Sequence, residues 1–360
     1  MIHRMQRRAL FFLLPALWLP AELLAQDGAA LTADQVKRIE QLVSTEMARS
    51  SIPGVSVAIG GKLRWAQGFG MADLENLVPV TPDTRIRLGS ISKPITAIAV
   101  MQLVEQGKID LDAEIQRYVP SFPKKQWPVT VRQLLGHQGG VRHYLPDGSD
   151  LDSTRHYTDR MEPLKIFAGD ALLFEPGTRY SYTTYGFNLL GAAVEAASGE
   201  SLPAYFRRHI FQPAGMDSIS EDDTYVIIPH RARGYHLENG ALQNCHLADT
   251  SNKIPGGGLI ATAGDLVKFG LAVDAGALVK KDTTRLMFTA QKTRDGKPTV
   301  YGMGFFIAAD SVSHAGGQQG ITTNLEVFPA GNLAIAVMTN LDGARGLQPI
   351  ARGIAKILRE

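Results

Sequence analysis

The chain has 360 residues, 44% of them hydrophobic, with 37 Lys and Arg against 35 Asp and Glu and a single cysteine, Cys245. Ordinary apolar content at near-zero net charge excludes a disordered chain, and the length suffices for a large core in one domain or two lobes. One cysteine excludes an intrachain disulfide framework and any zinc or iron–sulfur site built on cysteines.

The first 25 residues predict a secretory leader. His3, Arg4, Arg7 and Arg8 give a basic start, Ala9 to Leu19 an apolar run, and Leu23-Leu24-Ala25 a small residue for cleavage near Ala25. Pro15, Pro20 and Glu22 interrupt the run, which falls short of the roughly 18 uninterrupted apolar residues of a membrane span. No cysteine follows it, so a lipoprotein anchor is excluded as well. Without Arg4, Arg7, Arg8 and Glu22 the remainder carries no net charge, and a nucleic-acid partner is not expected. The expectation is a periplasmic or secreted protein with no stable membrane anchor.

Residues 33–49 place Val36, Ile39, Leu42, Val43 and Met47 at helical spacing behind Thr32 as N-cap. Residues 54–60 and 62–70 read as a strand pair about Gly60-Gly61, and Arg85 to Leu88 alternates as a short strand. The segment 94–106 is apolar nearly all round, which predicts a buried helix closed by Gly107. From there to about residue 254, helical stretches (130–136, 187–198, 202–211) mix with Pro- and Gly-rich loops. Strand patterns return at 303–308, 322–328 and 333–339, with Pro329 to Asn332 as a hairpin turn, and a helix is expected over 346–358. Strands at both ends with helices between predict an α/β (α+β) architecture. One lobe would comprise 26–92 and 255–360, with a helical lobe, 93–254, inserted.

Gly89-Ser90-Ile91-Ser92-Lys93-Pro94 straddles the junction of strand and buried helix. A serine hydroxyl is a poor nucleophile until a base takes its proton, and a lysine one helical turn on can reach it. Burial favours the neutral amine that such a base must be, and a helix start leaves backbone amides free to face a developing oxyanion. The pattern alone is weak, because Ser121-Phe-Pro-Lys124 repeats it. That copy holds Pro123, precedes Pro128 and has no apolar helix, so it is read as a loop.

The segment LGSISKPITAIAVMQLVEQGKIDLD resembles the nucleophile segment of the serine β-lactamase-related hydrolases: class C β-lactamases, penicillin-binding D-Ala-D-Ala peptidases and related esterases. VTVRQLLGHQGGVRHY (129–144), EPGTRYSYTTYGFNLLG (175–191), KIPGGGLIATAGDLVKFG (253–270), YGMGF (301–305) and HAGG (314–317) resemble it too, in order. The VRHY, YTT and PGGG segments are most similar to its mitochondrial serine β-lactamase-like branch and bacterial relatives. The likeness runs over roughly residues 35–358. It implies a β-lactamase/transpeptidase-like fold, a mixed, mainly antiparallel sheet flanked by helices with an inserted helical lobe.

The same resemblance implies the roles. Ser90 is the nucleophile, with Lys93 and Tyr182 managing protons; which of the two is the acylation base stays open. Counting from Pro176-Gly177-Thr178, the family's Tyr-x-Asn triplet falls on Tyr182-Thr183-Thr184, which makes Tyr182 the proton shuttle and puts Thr184 where most members have Asn. His314-Ala315-Gly316 matches the Lys-Thr-Gly or His-x-Gly edge strand. The amides of Ser90 and Gly317 would form the oxyanion hole, and Thr184, His314, Ala315 and Gly316 would line the substrate site. Thr184 and Ala315 remove polar contacts that a penicillin or peptide carboxylate would use, so small esters or amides are the expected substrates. A true β-lactamase, a D-amino-acid or cell-wall peptidase, and a sensor that acylates once remain open.

Other chemistries find little support. A Gly-x-Ser-x-Gly elbow is absent, and Ser56 lies within an expected strand. No His-Glu-x-x-His motif occurs, and His236 with Cys245-His246 is too loose for a metal site. His137 and His143 are read as packing or hydrogen-bonding residues, and Gly256-Gly257-Gly258 as a tight backbone passage near the cleft. With no phosphate loop or dinucleotide fingerprint, neither cofactor nor metal is expected, and oligomeric state is not legible.

Overall fold

The computed structural model describes residues 29–151 and 153–360; the expected leader and its cleavage site lie outside the described residues. Strands from the two ends of the chain interleave into one sheet. Its order is Ala29–Ala30, Leu63–Asp73, Gly54–Gly61, Leu333–Thr339, Ile321–Phe328, Val312–Gln318 and Phe306–Ile307, with Val78–Pro79 paired beside Leu63–Asp73. Only Ala29–Ala30 runs parallel to its neighbour. The ends meet where Val57 faces Val337 and Ile59 faces Ile335.

Period-two alternation divides this sheet into two faces. Val55, Val57, Ile59, Ile335 and Val337 pack under helices Ala33–Ser50 and Leu347–Ile357, on Ile39, Val43, Ile350 and Ile354. The opposite face carries smaller side chains, Ala58, Ala334 and Ala336, beneath helix Ala263–Ala275. That helix comes close: a Cβ on Gly60 would stand 2.2 Å from Val267 Cγ1. Thr32 caps the first helix, with Gln35 completing a capping box.

Helix Ser92–Glu105 lies in the second core with Ser92 to Met101 all buried, as a run apolar all round requires. Helix Tyr185–Ser198 packs beside it. Among the described residues no helix is long and apolar enough to cross a membrane.

Several elements depart from the periodicity. The expected strand 303–308 shrinks to Phe306–Ile307, because Gly304 turns with φ +90° and sits against Ala97 of the buried helix. Val312–Gln318 forms a full strand although His314-Ala-Gly-Gly317 has little intrinsic preference for one; pairing along Ile321–Phe328 imposes it. A hairpin, Tyr235–Glu238 with Ala241–Asn244, turns at Asn239-Gly240, φ +51° and +81°, inside the stretch read as loops. Asn-Gly is the residue pair such a turn favours. The helix expected over 202–211 ends at Phe206 and continues as one wider turn, Arg207–Phe211.

Candidate active site

The short strand Ile86–Arg87 runs into the turn Gly89–Ile91, and helix Ser92–Glu105 follows directly. This puts Lys93 one turn beyond Ser90, with Lys93 Nζ 2.9 Å from Ser90 Oγ. Lys93 is fully buried, whereas Ser90 keeps part of its surface open. The amine also donates to the Gly256 carbonyl at 2.7 Å and contacts Thr184 Oγ1 at 3.1 Å. All three partners are neutral oxygens. Burial holds the Lys93 pKa well below that of an ordinary lysine, and the nearby Lys253 ammonium lowers it further. A neutral amine has a lone pair, and with the Gly256 carbonyl obliged to accept, that lone pair is available to the Ser90 proton.

Tyr182 closes the other side. Its phenol lies beside Ser90, whose side chain favours the phenolate, and Lys93 Nζ lies 4.8 Å from its ring centroid. Burial raises the Tyr182 pKa above that of a free phenol, so the group is a protonated phenol and can donate. The neighbouring tyrosines are engaged elsewhere: Tyr185 donates to Asp150 Oδ2 at 2.8 Å, and Tyr180 meets the His137 ring edge-on and the Tyr301 ring at a tilt.

Gly89 and the glycine pair of strand Val312–Gln318 let two backbones touch. Gly89 adopts φ +52°, and a Cβ there would stand 3.0 Å from the Gly317 amide nitrogen; a Cβ on Gly316 would stand 2.0 Å from the Leu88 carbonyl oxygen. The Gly317 amide therefore faces the turn that carries Ser90. Ala315 and Gly317 are exposed, and no atom lies within 4 Å of a Cβ built on Gly317, so this strand face opens outward.

His314 is placed differently from an open cleft residue. It is 1% exposed, its Nδ1 donates to the Ala315 carbonyl at 2.7 Å, and its Nε2 accepts from the Tyr301 hydroxyl at 2.9 Å. Burial and the proximity of Lys93 push its pKa down to about 3, so it is uncharged near neutrality. Thr184, 2% exposed, is engaged through its hydroxyl by Lys93. The structure thus assembles Ser90, Lys93, Tyr182, Thr184 and the Gly316-Gly317 backbone in one place, with His314 buried beside Tyr182 at 6.2 Å between ring centroids.

Several neighbours were not singled out by the sequence. The Gly256 carbonyl is one; the close passage expected of the triple glycine is real, since a Cβ on Gly256 would stand 2.6 Å from Thr184 Cγ2. Tyr144 and Lys253 are others: Lys253 is 1% exposed, with Nζ 5.3 Å from the Tyr144 ring centroid and 3.3 Å from the Leu151 carbonyl. Nothing in the pattern of a single Lys before Ile-Pro-Gly predicts such burial. Ser121 and Lys124 are exposed in an irregular segment, and Ser56 is buried within its strand. Among the described residues no group of three or more His, Cys, Asp or Glu side chains is placed to hold a metal.

These features, a serine and a buried lysine at a helix start facing a tyrosine and an edge strand, form the candidate site. The beta-lactamase family model matches residues 39–359, and the chain belongs to that family. It is 32% identical over 287 residues to the human mitochondrial serine beta-lactamase-like protein LACTB, covering 61% of this chain and 52% of that one. The chain thus spans about half the length of the mitochondrial relatives it matches. Among solved structures it is similar to the octameric penicillin-binding protein homologue from Pyrococcus abyssi, at TM-score 0.76 and 27% identity over 90% of this chain and 77% of that one. The D-amino acid amidase from Ochrobactrum anthropi SV3 shares the fold at TM-score 0.78 and 24% identity, over 91% of this chain and 99% of that one.

Proposed function

We propose that this protein is an exported, cofactor-free serine hydrolase that cleaves small esters or amides through an acyl-enzyme on Ser90. The observation that carries this reading is the buried Lys93 amine, 2.9 Å from Ser90 Oγ and surrounded by neutral oxygens. As Ser90 Oγ attacks the substrate carbonyl carbon, its proton passes to Lys93 Nζ. The amides of Ser90 and Gly317 hold the resulting oxyanion; one such donor is worth about 3–4 kcal/mol of barrier. Tyr182 gives its phenol proton to the leaving oxygen or nitrogen and is reprotonated from Lys93. A water then attacks the acyl carbon, losing its proton through Tyr182 to Lys93, and Ser90 recovers its own as the acid departs.

The preference for esters or simple amides over β-lactams rests on what the edge strand offers. Ala315 has no hydroxyl, His314 is neutral and buried, and Thr184 is occupied by Lys93. A substrate carboxylate meets no cation from that strand, and a site lacking polar partners discriminates poorly in favour of a polar substrate. The amidase fold of the Ochrobactrum protein is compatible with this. Export rests on the basic start and apolar run of residues 3–19, and the amino terminus of the protein recovered from the periplasm or medium should begin just after Ala25.

Turnover of a p-nitrophenyl acyl ester should exceed that of a chromogenic cephalosporin by about tenfold or more in kcat/KM. A strong preference for the cephalosporin overturns the substrate class. Intact-protein mass after a penicillin pulse tests turnover itself: recovery of the unmodified mass is expected, and a lasting adduct on Ser90 makes the protein an acylated sensor instead.

A further inference from the structure

The serine and lysine of the site sit on one helical turn, which fixes their spacing by itself. Tyr182 has no such support. It precedes helix Tyr185–Ser198 in an irregular segment, some ninety residues along the chain from Ser90, and its phenol must stand within hydrogen-bond reach of the serine.

What holds this segment is the stretch from His137 to His143. The Ser181 amide donates to the His137 carbonyl at 2.8 Å, and Thr183 Oγ1 donates to the Arg142 carbonyl at 2.6 Å. The Thr183 amide then donates to His137 Nδ1 at 3.1 Å, and the Thr184 amide to His143 Nδ1 at 3.2 Å. A backbone amide can only donate, so both Nδ1 atoms accept and each neutral ring carries its proton on Nε2. Thr183 and Thr184 are 1% and 2% exposed, so water does not replace these acceptors, and a buried amide must find one.

The rings also flank the phenol. The His137 centroid lies 4.3 Å from that of Tyr182, and the His143 centroid 5.6 Å away, nearly edge-on. His137 is wholly buried with φ +57°, and its Nε2 has no polar partner among the described residues; it faces a shell of aromatic rings that includes Phe187 and Tyr301. The positive φ closes the end of helix Val131–Leu135, where the Gln138 amide donates to the Gln133 carbonyl at 2.7 Å, and it aims the ring so that Nδ1 makes the side chain's hydrogen bond to the Thr183 amide. The platform is itself braced, since the Arg142 guanidinium pairs with Asp150 and Asp170 and donates to the His143 carbonyl.

We propose that His137 and His143 are positioning residues: as neutral imidazoles they accept the two amide protons that follow Tyr182 and thereby fix its phenol against Ser90. This rests on the acyl-enzyme reading above. Burial keeps both rings unprotonated, His143 with a pKa pushed down to about 4 and His137 well below the ordinary value.

The test turns on where an acceptor atom sits. In His143→Asn the side-chain oxygen takes the place of Nδ1; in His143→Gln it lies one bond further out. Ester hydrolysis by His143→Gln should fall at least about tenfold in kcat with KM changed by less than about twofold, and His143→Asn should recover most of the loss. Equal rates for Asn and Gln, or a loss confined to KM, overturn the proposal. Nitrogen-15 shifts of the histidines in the unaltered protein at neutral pH supply a readout free of any folding defect. Both rings should carry the proton on Nε2 alone, and a proton on Nδ1 of either one overturns its role. Labelling of Ser90 by a serine-directed phosphonate separates the two levels. If the unaltered protein does not label, the acyl-enzyme reading fails; if it labels while Asn and Gln behave alike, only the positioning role fails.

Discussion

The chain contains the same four-residue pattern twice, and the two copies have opposite environments. Ser90 and Lys93 lie at the start of a buried helix, and Lys93 is fully enclosed with three neutral oxygens around its amine. Ser121 and Lys124 lie on the surface, separated by Phe122, which is buried, and Pro123, which breaks the helical turn that would bring lysine to serine. An amine in water holds its proton at neutral pH and cannot accept another. The difference shows that the pattern supplies reach, while removal of water and of counter-charge supplies basicity.

The most severe way to break this comparison is to exchange the serines for alanine. Ser90→Ala should lose at least about 10⁴-fold in ester turnover and all phosphonate labelling. Ser121→Ala should match the unaltered protein in both. Activity surviving in Ser90→Ala removes the nucleophile assignment outright.

The lysines come next. Lys93→Ala should slow acylation by about 10²–10⁴-fold while unfolding at the same denaturant concentration or a higher one, because a buried amine without a carboxylate partner adds nothing to stability. Lys124→Ala should leave acylation unchanged. The sign of the pH effect follows from the lowered Lys93 pKa: the fraction of neutral amine, and with it kcat/KM, rises with pH through a midpoint below the ordinary lysine value of 10.5. An acid limb centred on that ordinary value means the amine is solvated and the two copies are alike.

How much of this was legible beforehand divides along the same line. Ser90, Lys93 and the buried helix follow from local order: small residues at a strand end, a three-residue step, then an apolar run. Tyr182 follows only from counting within a family-like segment, since three tyrosines compete and their separation comes from tertiary contacts such as Tyr185 with Asp150. His314 shows the limit of such reasoning. Its place on the edge strand was legible, but not that Tyr301, thirteen residues earlier, would hydrogen-bond its outer nitrogen and bury it. Lys253 and the Gly256 carbonyl were out of reach, because their effect on Lys93 exists only once the turn Ile254–Gly257 packs against helices Ser92–Glu105 and Tyr185–Ser198.

The burial around Lys93 extends to His314 and, in part, to His143, which sharpens the contrast with the exposed copy. His314 and His143 have pKa values near 3 and 4 in the fold, below the 6.5 of a free imidazole. Below pH 6.5 the unfolded chain therefore binds protons that the folded chain refuses, and stability falls as pH falls. Their contribution is complete above about pH 6.5 and is lost progressively toward pH 4 for His143 and pH 3 for His314. Between pH 7 and 5 each ring should cost about 2 kcal/mol of unfolding free energy in urea titrations. His143→Asn should flatten the slope by its own share, and a profile flat from the start would mean that the pocket is wet.

The mildest change probes how the amine is held. Thr184→Val keeps the shape of a buried side chain and deletes the oxygen 3.1 Å from Lys93 Nζ. If Thr184 serves chiefly to aim the amine, the Gly256 carbonyl at 2.7 Å and the Ser90 hydroxyl at 2.9 Å remain, and the loss is one hydrogen bond of about 1 kcal/mol, near fivefold in kcat. If Thr184 instead meets the substrate, as its place in the triplet implies, the loss falls on KM and varies with the acyl group. Acylation rates for a short and a long p-nitrophenyl ester distinguish the two. A loss in kcat equal for both esters assigns the hydroxyl to Lys93, and that is the expected result, because the oxygen is buried and already engaged by the amine.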